Sequence, residues 1–146
     1  MHFARVSSLV LFAFAMSACS SSSSGSNGSP VIDDLDIPTT ATVGTIQTSS
    51  GSQQAYVLRG TLNFHDDTEN VNSFSTHVTS PANVVQDSHV TFPTPPGPIN
   101  KGPLQLTLAL PPGGPFVAGT TIDYQISVTS VSGKISEPIS KTVTLQ

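Results

Sequence analysis

Three of the chain's four histidines, His65, His77 and His89, recur at twelve-residue intervals. Histidine is a common ligand of zinc and other transition metals, so a regular set raises the question of a metal site. However, no His-x-His or His-x₃-His pair is present, and this spacing is not typical of zinc ligands. Counting at period two along an extended chain places each ring on the face opposite its apolar neighbours. We therefore predict three solvent-facing histidines rather than a zinc centre.

Carboxylates form two short groups, Asp33 with Asp34, and Asp66, Asp67 with Glu69. Ca²⁺ takes six to eight oxygen ligands from carboxylates and loop carbonyls, so the five acids are candidate calcium ligands. The segment 65–70 lacks the alternating Asp-x-Asp-x-Asp-Gly pattern of helical calcium loops. A soluble turn, in which Asp and Asn end one strand and start the next, is the alternative. Both interpretations stay open at this point.

The sequence contains no recognisable catalytic motif. It has no Gly-x-Ser-x-Gly elbow, no His-Glu-x-x-His and no glycine-rich phosphate loop before a helix. His65 beside Asp66, with serines nearby, is an arrangement that any serine-rich chain offers. Sugar-binding modules usually expose aromatic rings, whereas tryptophan is absent here and Tyr56 and Tyr124 fall on predicted core faces. We predict a protein that is not an enzyme and has no cofactor beyond the hypothetical Ca²⁺.

Cys19 is the only cysteine, and it follows a short basic start (Arg5), an apolar run over 6–16 and the residues Ser17-Ala18. The apolar run is too short to span a bilayer but fits the core of a secretory signal. The segment resembles the lipobox of bacterial lipoproteins, with Met16 where Leu is usual. That resemblance implies a signal peptide over 1–18 and lipidation of Cys19 with acyl chains such as palmitate. The alternative is an ordinary signal cleaved after Ala15, which leaves Cys19 as a free thiol.

Residues 19–30 form a Ser/Gly-rich segment that begins with five consecutive serines after Cys19. Such a composition buries no core and predicts a flexible linker. In lipoproteins of Gram-negative cells, serine directly after the lipidated cysteine usually directs the protein to the outer membrane. The resemblance therefore implies an exported protein of the cell envelope whose membrane contact is made through Cys19.

The remaining 116 residues, 31–146, suit one domain that buries a core without disulfides. After the predicted cleavage, four basic residues stand against nine acidic ones, a net charge of −5. Nucleic-acid binding needs basic patches, so this composition argues against it. It argues equally against electrostatic adhesion to anionic lipid.

Period-two alternation of apolar residues recurs along the domain and predicts an all-β fold. It is clearest in 104–110, where four leucines alternate with Gln105, Thr107 and Ala109. We predict about seven strands in an antiparallel β-sandwich. They cover 31–37, 56–65, 71–79, 84–92, 104–110, 122–128 and 139–145.

The domain resembles immunoglobulin-like and fibronectin-III-like modules of secreted bacterial proteins. The resemblance is carried by the leucine strand, the Pro-Pro-Gly-Gly corner over 111–114, and Tyr124 opening the next strand. It is architectural only, since the tryptophan and disulfide of antibody domains are missing, and it transfers no functional residue.

With immunoglobulin order, one end of the domain would collect the linker, Asp33, Asp34, Glu137 and the acids of 66–69. The opposite end would collect loops over 38–52 and 111–119, with Phe116 exposed or half-buried. Ser50 and Phe116 are thus candidate contact residues for an envelope or surface protein. The leading hypothesis is a non-catalytic protein-interaction or adhesion module. The alternatives are a passive spacer or accessory subunit of an envelope complex, and a calcium- or metal-binding module or small hydrolase.

Overall fold

The structure is a computed structural model that describes residues 28–93 and 97–146. The predicted signal peptide, Cys19 and most of the linker lie outside the described residues. The described residues form an all-β fold without helices, as predicted. The strands are β1 (Val31–Asp36), β2 (Thr40–Thr48), β3 (Gly51–His65), β4 (Val71–Thr79), β5 (Val85–Thr91), β6 (Leu104–Leu110), β7 (Thr121–Ser130) and β8 (Ile139–Leu145).

The strands pair in two sets. In the first set, β1 and β2 lie end to end along one edge of β3, and β6 lies along the other edge. The second set has the order β8-β7-β4-β5, with antiparallel neighbours throughout. Thr40 and Ala41 at the start of β2 pair in parallel with Thr144 and Leu145 of β8, so that β2 joins the two sets.

Apolar side chains from both sets form one core. Leu104, Leu106, Leu108 and Leu110 are all buried, which confirms the alternation read from the sequence. Tyr56 and Tyr124 are buried as predicted. At the end of the core that contains 64–74, the ring of Phe92 lies 6.3 Å from that of Phe64 and 6.4 Å from that of Phe74, centroid to centroid.

The expectation of a loop over 38–52 is wrong, because Thr40–Thr48 is a strand and β3 begins at Gly51. This accounts for eight strands where about seven were expected. β-Branched residues, which favour strands, predominate in this segment, and the two-residue turn Ser49-Ser50 closes a hairpin. The nearby serines and glycines, typical of loops, obscured that strand preference.

The β2–β3 hairpin projects beyond the rest of the domain. Tyr56 pairs with Leu110, the last residue of β6, so that residues 51–55 continue past the end of that strand. At the usual rise per residue this projection is about 17 Å. Most side chains in the projecting part are exposed.

Between β1 and β2 the chain passes directly over Gly60 of β3. A Cβ atom at Gly60 would overlap the carbonyl oxygen of Asp36 and lie 2.7 Å from Cγ2 of Ile37. Glycine therefore permits the close approach by which the segment between β1 and β2 crosses over β3. The chain then begins β2, where Ala41 lies beside β8.

Candidate functional site

The predicted acidic end exists as a cluster of turns. β3 ends at His65, and the amide of Asp66 donates to the carbonyl of Asn100 over 2.8 Å. Val71 exchanges backbone hydrogen bonds with Ile99, which holds the segment 66–70 against 99–101. The turn between β7 and β8 joins the cluster, since Ser132 bonds to Glu69. We call residues 29–34, 66–70, 98–101 and 130–138 the acidic end.

Asp66 is buried at this end and holds the turn 66–69 together through hydrogen bonds. It is 4% exposed, and its Oδ1 accepts hydrogen bonds from the Thr68 amide (2.9 Å), the Thr68 hydroxyl (2.8 Å) and the Glu69 amide (3.0 Å). Its Oδ2 is buried without a hydrogen-bond partner among the described residues. Burial by itself raises the pKa of Asp66. The hydrogen bonds from Thr68 and Glu69 and the charge of Lys134 outweigh that effect and lower the pKa below its ordinary value.

The other acids of the calcium hypothesis have different surroundings. Glu69 accepts from the Ser132 amide over 3.1 Å and lies 3.3 Å from Nζ of Lys134, while Asp33 lies 2.9 Å from Nδ1 of His65. Asp34 and Asp67 are exposed. Among residues 28–93 and 97–146, no group of three or more His, Cys, Asp or Glu residues is arranged to hold a metal ion. The calcium site remains a prediction, and three of its five carboxylates, those of Asp33, Asp66 and Glu69, are engaged in turn and cross-strand contacts.

Two of the three histidines lie together on the outer face of the second strand set. His77 on β4 faces Asp87 on β5, with 2.6 Å between Nδ1 and Oδ1, and His89 on β5 faces Ser75 on β4, with 3.0 Å between Nδ1 and Oγ. His65 belongs to the other strand set, beside Asp33. All three side chains reach solvent, as predicted.

This face carries a shallow groove of about 490 Å³ lined by polar side chains of β4, β5 and β7. The groove contains serine, histidine and aspartate but no hydrolytic relay. Ser75 contacts His89, whereas Asp87 contacts His77, so that no single imidazole connects a serine to a carboxylate. A serine triad needs one histidine that bonds to both.

The end opposite the acidic end consists of the hairpin tip, the β4–β5 turn and the loop 111–119, and we call it the distal end. Ser50 lies at the hairpin tip, exposed as expected. Phe116 does not: it is 5% exposed and belongs to the core, so its predicted exposure is wrong. Reciprocal backbone hydrogen bonds between Gly113 and Phe116 make a tight turn after the prolines and direct the ring inward.

An apolar groove that was not predicted from the sequence lies at the distal end. Val85 is 47% exposed and Val117 is 50% exposed. A groove of about 400 Å³ lies between the start of β5 and the proline-rich loop. Its lining consists of Val84, Val85, Gln86 and residues 111–116. The signal that could have revealed this groove is the pair of adjacent valines, 84 and 85. Neighbouring residues of a strand point to opposite faces, so that at most one of the two can point into the core.

Comparison with known proteins gives no functional lead: no protein-family model and no curated protein matches the chain. Within the described ranges, there is no helix of the length and apolarity that crossing a membrane requires.

Proposed function

We propose that this chain is an exported lipoprotein of the cell envelope, directed to the outer membrane by the serine that follows Cys19, and that its domain is a non-catalytic protein-interaction module. The observation that carries the proposal is the apolar groove at the distal end. Exposed valines beside a proline-rich loop offer apolar area to a partner and serve no purpose in the core.

The distribution of charge supports the same proposal. Residues 37–58, 78–86 and 106–122 contain no charged side chain, and they make up the distal end and the strand segments next to it. The first described residues, 28–31, lie at the acidic end, where residues 29–32 line a groove together with Ile135 and residues 137–139. An anchor at Cys19 would thus hold the acidic end near the membrane and present the uncharged distal end to partners.

We further propose that the two strand sets form an immunoglobulin-like sandwich. This proposal is supported by the strand pairing, β1/β2 and β6 on either side of β3 in one set and β8-β7-β4-β5 in the other, and by the single core to which both sets contribute. Such sandwiches present loops at both ends, and their edge strands accept an added strand from a partner.

In-cell photo-crosslinking tests this function. A photo-reactive residue at Val85 should capture a reproducible protein, because Val85 lines the distal groove. The matched control is the same residue at Thr91, which is also exposed but lies at the other end of β5. Capture at both positions alike, or at neither, would argue for a passive spacer instead.

A further inference from the structure

In the part of the chain that the structure describes, the outer edge of β2 is unpaired in the projecting hairpin. β3 occupies one edge of β2 along its length, whereas β8 occupies the other edge only at Thr40 and Ala41. Among the described residues no strand pairs with the outer edge of Val43–Gln47. An open, regular edge is a template for pairing with another chain.

The pairing of β2 with β3 and its bond to Gln146 determine which residues of β2 point their backbone amides and carbonyls outward. Thr48 and Gly51 close the hairpin as a hydrogen-bonded pair, so that even-numbered residues of β2 bond to β3. The Gln146 amide donates to the Ala41 carbonyl over 2.8 Å, which shows that an odd-numbered residue points to the outer side. Val43, Thr45 and Gln47 therefore present their amides and carbonyls outward.

Charges, prolines and bulges on an edge strand hinder pairing with another chain. The segment Val43–Gln47 has none of these features, whereas the neighbouring edge strands do. β1 continues the same edge of β3 and carries three aspartates, Asp33, Asp34 and Asp36. β6 is flanked by Pro103 and Pro111, and β5 carries Asp87. Val43–Gln47 has no charge, no proline and no register shift.

We propose that this edge pairs with the same edge of a second copy of the chain, antiparallel about a twofold axis at Thr45. In that register Thr45 faces Thr45, Val43 faces Gln47, and Gly44 faces Ile46 of the other copy. The absent side chain of Gly44 leaves room for Ile46, and no like charges meet. The segment is therefore complementary to itself, which a twofold interface requires.

The association is weak and concentration-dependent, because five paired residues bury far less than the roughly 1,600 Å² of a standard interface. It does not depend on the proposed function, since it uses the hairpin edge and leaves the distal groove open.

Charge variants at Thr45 test the pairing in the full chain, purified in mild detergent and studied by sedimentation equilibrium. Thr45→Lys and Thr45→Glu each place two like charges at the twofold axis, so each alone should weaken association by up to about fivefold. An equimolar mixture of the two should restore association, because Lys then faces Glu. The control is Gln105→Lys, which puts the same charge on the exposed part of β6 and should leave association unchanged.

Restoration in the mixture also shows that both variants fold. A wild-type chain that stays monomeric at the highest soluble concentration would overturn the proposal. So would single variants that associate as tightly as wild type, or a mixture that fails to associate while both variants retain the wild-type circular dichroism spectrum. Photo-crosslinking from Val85 should still capture the partner protein when the chain carries Thr45→Lys. Failure of the self-association proposal can therefore be distinguished from failure of the proposed function.

Discussion

Asp66 is the one charged side chain that is buried among the described residues. Its carboxylate replaces water for the Thr68 and Glu69 amides, which would otherwise be unpaired in a tight turn. The sequence identified Asp66 as a turn residue or a calcium ligand, and only the structure shows how completely it is enclosed. The contacts of His77 and His89 were likewise hidden, because they depend on the register between β4 and β5.

We expect Asp66→Ala to destabilise the domain by about 1–3 kcal/mol, because buried donors lose their acceptor. Asp66→Asn keeps one carbonyl oxygen and should cost less. Thermal unfolding monitored by circular dichroism at neutral pH measures both. Equal melting temperatures for wild type and Asp66→Ala would contradict the assigned role.

The lowered pKa of Asp66 also predicts a pH dependence. A carboxyl whose pKa is lower in the folded state contributes stability above its unfolded pKa of about 3.9 and loses that contribution as the pH falls through the folded value. The melting temperature of the wild type should therefore drop more between about pH 5 and pH 2 than that of Asp66→Asn. Parallel curves for the two proteins would refute the linkage.

At the scale of elements, sequence and structure agree best where one face of a strand is buried. β4, β6 and β8 have the predicted bounds. In β6 the apolar residues alternate without interruption. The bounds of β4 and β8 agree as well, although Thr76 and Lys141 interrupt the apolar alternation there and β4 has a register shift after Val71. β2 was missed because its projecting part has no buried face, so hydrophobic alternation carries little signal there. Phe116 was misplaced because a loop turn, rather than strand periodicity, determines its direction.

Gly60 gives a prediction about the path from β1 to β2. Gly60→Ala should destabilise the domain by about 1–3 kcal/mol or more, because the new methyl group overlaps backbone of the crossing segment. Gly44→Ala is the matched control: its Cβ would lie 3.4 Å from Cγ2 of Val57, at the limit of ordinary contact. Urea unfolding in dilute solution compares the two, and equal midpoints would argue against the close crossing.

The β4–β5 and β7–β8 connections use the same turn. The Ser80 hydroxyl accepts from the Val84 amide and the Ser130 hydroxyl from the Lys134 amide, and the fourth residue of each turn has positive φ, 55° at Asn83 and 88° at Gly133. Gly133→Ala should cost about 1 kcal/mol, since alanine is strained there, whereas Asn83→Gly should be neutral or stabilising. Chemical denaturation measures both, and the same sign for the two changes would contradict the shared geometry.

At the scale of the whole molecule, the predicted lipid anchor is separable from the domain. Cys19→Ser should move the protein from the membrane fraction to the soluble fraction while the domain keeps its melting temperature. Membrane fractionation followed by immunoblotting is the measurement. A variant that still sediments with membranes would mean that the lipobox interpretation is wrong.

The pairings that complete the fold join distant parts of the chain: β3 meets β6 about fifty positions later, and β2 meets β8 about one hundred positions later. Such non-local pairing makes folding slow, on the order of milliseconds to seconds, because long loops must close before the contacts form. For a chain exported as we propose, slow folding is an advantage, since a secretion channel threads unfolded polypeptide. Because β8 would emerge last from such a channel, its pairing with β2 would form only after the whole domain is translocated.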